Sequence, residues 1–365
     1  MSSHYDAAVS AAALRDFMSL PIPDNKCQVS YVYYGSKKKT TVFKCRTLDL
    51  VPQSVDQVPE WASGIRSPSC VETILKPVAL YNDPFRRGNN KIVLCEMLNY
   101  DRTPVPFNSR ASCAAVMDRV NEEHDPWFGI EQEYQMMDPA ARGSWPLGWP
   151  ANGFPEYGLF EFAYGVGTNV AFGRDLCEAH YRACLYAGIP IAGVNSETTP
   201  GQWEFQVGPT AGVALADHIW MARHILWRMS EHFNIVVSFD PLPVPRWTGS
   251  GAHTNYSTTQ TRDNKTGMDA INQIIEKLRV THDQHKLVYD LNGGKDNERR
   301  LTDGFANVCQ MDPFTSGVGL KNVSVRIPQQ VAIDGCGYVE DRRPASNCDP
   351  YAVLEAIVRS TLLSD

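Results

Sequence analysis

Apolar and polar positions alternate in short runs near the start of the chain and change to a helical period further on. Between residues 26 and 108, the runs Cys27–Tyr34, Thr40–Arg46 and Lys91–Asn99 are rich in Val, Tyr, Thr and Phe, which predicts strands. Ahead of them, Met1 to Leu20 predicts a short amphipathic helix with Ala12, Leu14, Phe17 and Met18 on its apolar side. Pro104, Pro106 and Asn108 then punctuate the chain, and from Ser109 onward Ala111, Ala115, Val116 and Val120 fall at helical spacing. The pattern divides the chain into an N-terminal helical segment (1–25), a strand-rich domain (26–108) and a larger domain (109–365).

Strands and helices alternate through the larger domain. Arg174–Ala187 is predicted helical, with Leu176, Ala179 and Ala183 on one face and Gly188 at the expected C-terminal cap. Leu215, Ile219, Ala222, Leu226, Met229 and Phe233 mark a longer amphipathic helix. Another, carrying Ile271, Ile274, Ile275 and Leu278, starts near Thr266, where Asp269 three residues on suggests a capping box. Asp349 followed by Pro350 opens the last helix. Helices mixed with separate strands imply an antiparallel or mixed sheet and an α+β fold.

Composition narrows the class. The 365 residues are 43% hydrophobic and 21% charged, as in ordinary globular proteins. A net charge of −7 without a basic run argues against a nucleic-acid partner. No apolar run reaches membrane-spanning length, so no membrane partner is expected. Met1 to Leu20 lacks the charged region and cleavage site of a signal peptide. The ten cysteines include no Cys-x-x-Cys pair. Reduced, mostly buried thiols in a cytoplasmic protein are the expectation, without a structural zinc site.

Two stretches carry the chemistry: Trp127-Phe128-Gly129-Ile130-Glu131-Gln132-Glu133-Tyr134 and Gln202-Trp203-Glu204-Phe205-Gln206-Val207. In an extended strand Glu131 and Glu133 point the same way and repel unless something positive lies between them. Glu197 precedes Glu204 with Pro200 and Gly201 between, consistent with a turn or hairpin. His253 lies in the small-residue stretch Gly249 to Asn255, and Glu340 precedes Asp341-Arg342-Arg343. Carboxylates with one imidazole suit Mg²⁺ or Mn²⁺ better than zinc. Arg326 sits among apolar residues of a strand, and Arg299 and Arg300 follow Lys295-Asp296-Asn297. Arginines converging on metals point to phosphate handling, while internal ion pairs remain an equal reading of each arginine alone. Gly165-Val166-Gly167 completes no dinucleotide fingerprint and Gly293-Gly294-Lys295 is no P-loop. His282 and His285, without a partnered carboxylate motif, are expected at the surface.

Taken together, these residues resemble eukaryotic-type glutamine synthetase over nearly the whole chain. The resemblance rests on Arg46-Thr47-Leu48-Asp49, Asp83-Pro84-Phe85-Arg86, Trp127 to Tyr134 and Asn152-Gly153-Phe154-Pro155. It continues through Ala179-His180-Tyr181-Arg182-Ala183-Cys184, Gln202 to Gln206 and Glu340-Asp341-Arg342-Arg343-Pro344. It implies a β-grasp N-terminal domain, an α+β catalytic domain and a two-ring homo-oligomer, a decamer, with active sites between subunits. The implied reaction phosphorylates the γ-carboxylate of glutamate with ATP, after which ammonia displaces phosphate. Glu133, Glu197 and Glu204 would hold one metal, and Glu131, His253 and Glu340 the other. Arg299 would grip the substrate carboxylate, and Arg326 and Arg342 would stabilise the transferring phosphoryl group. Trp127, Ser257, Arg262 and Tyr338 match nucleotide-contacting positions.

Departures from the family pattern are concentrated. After Trp61 the family has an Asp-Gly-Ser-Ser loop whose aspartate binds ammonium; here the chain reads Ala62-Ser63-Gly64-Ile65-Arg66-Ser67-Pro68-Ser69-Cys70. Where the family has a His-Glu-Thr-Ser flap, this chain has Ala306-Asn307-Val308-Cys309. Lys321 and Gln329 stand for arginines and Thr248 for an asparagine. General-base assistance is worth about two to four orders of magnitude, so the losses predict slow glutamine synthesis. Three readings follow: a ligase using ammonia poorly or another amine, an inactive paralogue that binds ATP and Mg²⁺, or a purely structural ring protein. The resemblance also allows mixed rings with an active paralogue, since in the family the missing aspartate comes from the neighbouring subunit.

Overall fold

The computed structural model describes residues 14–35, 40–64, 71–140, 145–150, 153–155, 161–302 and 310–363. Ala12, the altered loop from residue 65 to 70 with Arg66, and the flap segment 303–309 with Asn307 lie outside the described residues. The chain has an α+β fold built on two sheets.

The first sheet contains β1 (Cys27–Tyr34), β2 (Thr41–Leu48), β3 (Trp61–Ser63), β4 (Thr73–Asn82) and β5 (Lys91–Leu98). Their order is β2-β1-β5-β4-β3, with β1 and β5 parallel and the other pairs antiparallel. Strand β1 is apolar on the face of Cys27, Val29, Tyr31 and Tyr33, and its other face, with Gln28, Ser30, Val32 and Tyr34, is also largely buried. Val29, Tyr31 and Tyr33 join a small core with Leu75, Val93 and Met97. Val32 and Tyr34 enter the main core, where Tyr34 stacks on Trp220 with ring centroids 4.8 Å apart. The sequence pattern does not single out β4, because Lys76 and Pro77 interrupt its alternation; the register shifts between Pro77 and Ala79. A proline supplies no ladder donor, and such positions favour bulges.

The second sheet is centred on β6 (Trp127–Asp138), a strand of 12 residues. Beside it run β7 (Trp145–Pro146), β8 (Ile191–Ser196), β9 (Gln202–Ala211), β10 (Val236–Ser238), β11 (Ala252–Ser257), β12 (Ser316–Val318), β13 (Val325–Ile327) and β14 (Val339–Asp341). The main path is β12-β13-β14-β11-β6-β9-β8, with β7 and β10 paired to β6. Strands β8 and β9 form the antiparallel hairpin anticipated around Pro200 and Gly201.

Helices cover the sheet: α1 (Ser109–Asp118), α2 (Arg174–Ala187), α3 (Ala214–Phe233), α4 (Gly267–Val280), α5 (His282–Val288), α6 (Lys295–Thr302) and α7 (Pro350–Val358). Asn108 caps α1 by accepting from the Ala111 N–H, and Gly188 ends α2 in the left-handed conformation at φ 90°. Asp349 caps α7, accepting from the Tyr351 N–H with Pro350 at the first helical turn. The capping box expected at α4 does not form. Thr266 makes no side-chain cap bond, and its hydroxyl turns back to Asp263 Oδ1 at 3.2 Å. A threonine that finds a nearer acceptor in its own turn is lost to the helix end.

A second expectation is also overturned. His282 and His285 are buried, not at the surface. Arg343 reaches His282 Nδ1 at 2.9 Å and binds both oxygens of Asp341 through Nε (2.8 Å) and Nη2 (2.6 Å). Tyr289 donates to Asp341 Oδ2 at 2.7 Å, and His285 Nε2 lies 2.7 Å from Ser360 Oγ. The carboxylate they lacked in local sequence arrives from β14, next to Glu340. Burial, and then the Arg343 charge, push His285 down to about 4. Despite its own burial, Asp341 is held below the usual carboxylate range by Arg343.

Candidate metal and nucleotide site

The register of the second sheet assembles the candidate site. Glu133 on β6 faces Glu204 on β9, and Glu131 faces His253 on β11. One row along, Glu340 on β14 faces Asn255 on β11 and Arg326 on β13. Residues two apart on a strand share a face, so these pairings collect seven polar side chains on one side of the sheet. Cross-strand neighbours of like charge are destabilising. Glu133 opposite Glu204 is therefore a cost the fold carries.

Glu131, His253 and Glu340 present ligand atoms close enough to share one ion, as do Glu133, Glu204 and His253. His253 Nδ1 lies 3.6 Å from Glu131 Oε2 and 3.6 Å from Glu340 Oε1, and its Nε2 lies 3.9 Å from Glu133 Oε1. Burial, and then the Arg342 charge, hold His253 well below the usual imidazole range. Its Nδ1 is buried and has no hydrogen-bond partner among the described residues. A buried ring nitrogen without a hydrogen-bond partner, set between two carboxylates, is open to a cation. That is the environment of a metal ligand, and the donor set of carboxylates with one imidazole fits Mg²⁺ or Mn²⁺.

The carboxylates tell the same story. Burial, and then Glu197, push Glu133 up to about 8. Burial, and then Glu131, Glu197 and Glu133, raise Glu204 well above its ordinary value. Burial also raises Glu197, which stands outside both three-residue groups and accepts from Asn195 Nδ2 at 2.9 Å. Each acid resists ionising beside the others, and a divalent cation would reverse that preference.

Amides support these groups, and the sequence reading missed them. Asn255 donates to Glu131 at 2.9 Å, Gln206 donates to Glu204, and the Gly251 N–H donates to Glu133 Oε2 at 2.7 Å. The sequence carried a signal for Gln206, and for Asn195 beside Glu197: each stands two residues from the glutamate it serves. Arg300 was undervalued. It is fully buried and donates to the carbonyls of Arg342, Arg343 and Pro344. A Cβ on Gly251 would lie 2.5 Å from its Nη2, so glycine is what lets this arginine approach.

Arg326 and Arg342 both hold Glu340, Arg326 through Nη1 at 2.9 Å. The Nε–H of Arg326 is buried without a partner among the described residues, a spare donor for an anion. Arg299 is not brought into this group. Its guanidinium binds Asp240 at 3.1 Å and Asp296 at 3.3 Å.

Trp127, Ser257, Arg262 and Tyr338 line one cavity of about 380 Å³. Its walls are mostly apolar, from Phe128, Ile130, Val207, Pro209 and Tyr256, and Glu131 stands at its edge. Register irregularities between Phe128 and Ile130 and between Ile191 and Gly193 fall at this end of the sheet. Such bulges bend strands apart and re-aim side chains. Arg262 lies over the Trp127 ring at 4.2 Å and donates to Ser257 Oγ at 3.0 Å and Asp125 Oδ2 at 2.9 Å. The cavity offers a flat aromatic and apolar slot that ends beside the carboxylate cluster.

Comparison with known proteins places this geometry in context. The family profile described as glutamine synthetase, catalytic domain, matches residues 109–274. The glutamine synthetase of Rattus norvegicus is 46% identical over 370 residues, covering 100% of this chain and 96% of that protein. That of Homo sapiens is 44% identical with the same coverage. Drosophila melanogaster glutamine synthetase 2 cytoplasmic is 45% identical over 99% of this chain and 97% of its own length.

Proposed function

We propose, given that this chain belongs to the glutamine synthetase family, that it is an ATP-dependent ligase joining the γ-carboxylate of glutamate to ammonia or another amine. The observation that carries the proposal is the shared position of Glu131. It edges the apolar slot and also belongs to the carboxylate–imidazole group. A nucleotide base in the slot would direct its phosphates toward that group. We assign residues 26–108 to an N-terminal domain and 109–365 to the catalytic domain.

In this reading Trp127 and Tyr338 pack the base, and Ser257 with Arg262 closes the slot. Glu131, His253 and Glu340 hold one Mg²⁺ or Mn²⁺, and Glu133, Glu197 and Glu204 a second. Bound there, the ions neutralise the carboxylates and screen phosphate oxygens. Arg326 and Arg342 hold the transferring phosphoryl group, which needs donors fixed before the reaction. Arg299 takes the substrate carboxylate by exchanging its exposed contacts with Asp240 and Asp296. A γ-carboxylate oxygen attacks the terminal phosphorus and ADP leaves. The amine nitrogen then attacks the acyl carbon, phosphate leaves, and the nitrogen gives up a proton.

Among the departures from the family pattern, the one at the acceptor step weighs most in this proposal. Residues 62–70 carry no carboxylate to trap ammonium and take its proton. Ammonia is therefore a poor acceptor in this proposal, and a more nucleophilic or larger amine a better one. The same missing carboxylate favours a second reading, an ATP- and Mg²⁺-binding paralogue that assembles with an active subunit and turns over nothing. The name of the Drosophila relative and the eight unpaired cysteines among the described residues support a cytoplasmic protein.

Hydroxylamine separates these readings, because it attacks an acyl phosphate without an ammonium trap. Protein incubated with ATP, Mg²⁺, glutamate and hydroxylamine should form γ-glutamyl hydroxamate faster than ammonia gives glutamine. ATP-dependent stabilisation without hydroxamate would select the non-catalytic reading. Neither hydroxamate nor stabilisation would refute both.

A further inference from the structure

A second cavity, of about 460 Å³, lies on the other side of the central sheet. Its walls include Ser238, Asp240, Asp296 and Asn347, with Trp227 and Phe239 among the apolar ones. Ser238 pairs in register with Gln135, and Arg223, which also lines the cavity, binds Gln132 through Nε at 2.9 Å. Gln132 alternates with Glu131 and Glu133 along β6, so it faces away from the carboxylate cluster. The cavity therefore lies against the face of β6 opposite the carboxylate cluster.

The hydrogen-bonding balance of the walls is one-sided. Arg223 is the cavity's inner cation, but its N–H groups are committed to Gln132, Cys348 O at 2.8 Å and Ser346 O at 3.0 Å. Arg299 is half-exposed and addresses Asp240 and Asp296 through their Oδ1 atoms. The Leu242 N–H also goes to Asp240 Oδ1, which leaves Asp240 Oδ2 without a partner among the described residues. The Oδ1 of Asn347 is buried and lacks a donor among the described residues, while its Nδ2 donates to Asp296 Oδ2 at 3.0 Å. Buried acceptors are rarely left bare in folded proteins. Trp227 and Phe239 meet edge to face at 5.1 Å and give the cavity an aromatic wall.

We infer that this cavity is a binding site for a small organic cation: a primary ammonium group carried on an apolar or aromatic body. The ammonium donates to Asp240 and toward Asn347, and the body lies against Trp227 and Phe239. The site is suited to an effector. Helix α6 presents Asp296 to the cavity, while Asn297 and Arg300 from the same helix donate to the carbonyls of Arg343 and Pro344, beside Arg342. An occupant therefore bears on the helix that holds the arginine loop.

The test is calorimetric titration of phenethylammonium chloride into the full-length protein without ATP or glutamate, with 2-phenylethanol as the uncharged counterpart. Saturable one-site binding of the ammonium is expected, with no binding of the alcohol. Asp240→Asn, at a half-exposed position, should weaken affinity roughly tenfold or more, and Trp227→Leu should weaken it independently. Glu204→Gln, in the carboxylate cluster, should leave it unchanged. Absence of saturation, equal affinity in Asp240→Asn, or loss of binding in Glu204→Gln would overturn the inference. Because no ATP or glutamate is present, either outcome leaves the ligase reading to its own assay.

Discussion

At the scale of single residues, the site is a set of acids held closer together than they tolerate alone. Replacing Glu204 by Gln removes one ligand and one source of repulsion while keeping the shape. The variant should lose hydroxamate formation by roughly a hundredfold or more. Its metal-free melting temperature should stay level or rise, whereas the gain on adding Mg²⁺ should shrink; differential scanning fluorimetry with and without chelator reads both. The pH dependence has a defined sign. Glu133 titrates at about 8 in the fold against 4.5 in the free group, so the folded chain binds the extra proton between those values. Metal-free stability from this group is fully present below 4.5 and is lost as pH rises through 8. Buried His180 and His285, both pushed down to about 4 from 6.5, act in the opposite sense between 6.5 and 4. Between pH 6.5 and 8 the carboxylates act without them. There the chelated protein should melt lower as pH rises, and saturating Mg²⁺ should flatten the slope. A flat profile in chelator would show that the cluster is not under this strain.

At the scale of elements, helix ends give the sharpest contrast. Asp349→Ala removes a formed cap together with the acceptor of the Ser109 hydroxyl and should cost about 1 kcal/mol or more, measured by urea unfolding. Thr266→Ala removes no cap bond and should cost clearly less; equal losses would mean that the Asp349 cap contributes nothing special. The same contrast marks what could be read from the chain. Strands β1 and β5 were legible as runs of branched, aromatic and other apolar residues, β6 by its alternation, and helices α2 and α3 because one period runs through each. The candidate ligands on β6 and β9 were legible because alternation places Glu131 with Glu133, and Glu204 with Gln206. Strand β4 was not, since Pro77 breaks the alternation at a bulge. His282 and His285 were misjudged because their partners, Asp341 and Arg343, come from a strand more than fifty residues away. Long-range pairing decides such residues, and local pattern carries no trace of it. The cavity behind the sheet was invisible for the same reason, being assembled from several separate segments.

At the scale of the molecule, the described part of the N-terminal segment stands away from both cores. Leu14, Phe17, Met18, Leu20 and Ile22 are all exposed, Phe17 by 72%. Contiguous apolar surface of this kind is costly in a lone chain and marks an interaction surface. We expect it to be covered by another copy in the ring assembly that the family resemblance implies. Sedimentation of the full-length protein should show a large closed oligomer, and Phe17→Ser combined with Leu20→Ser should shift it toward smaller species. A wild-type protein that sediments as single chains at micromolar concentration would remove this expectation and the ring with it.

The facing of Glu133 and Glu204 across β6 and β9 has one more consequence. The middle of a sheet is ordinarily the last part of a protein to open, since its amides are shielded on every side. Here that shielded place also holds the repulsion. Without a cation, the β6–β9 ladder near this pair should exchange its amide hydrogens sooner than the equally buried β1–β5 ladder, and with Mg²⁺ the order should invert. The ion would then set not only what the protein can catalyse but which part of it breathes first.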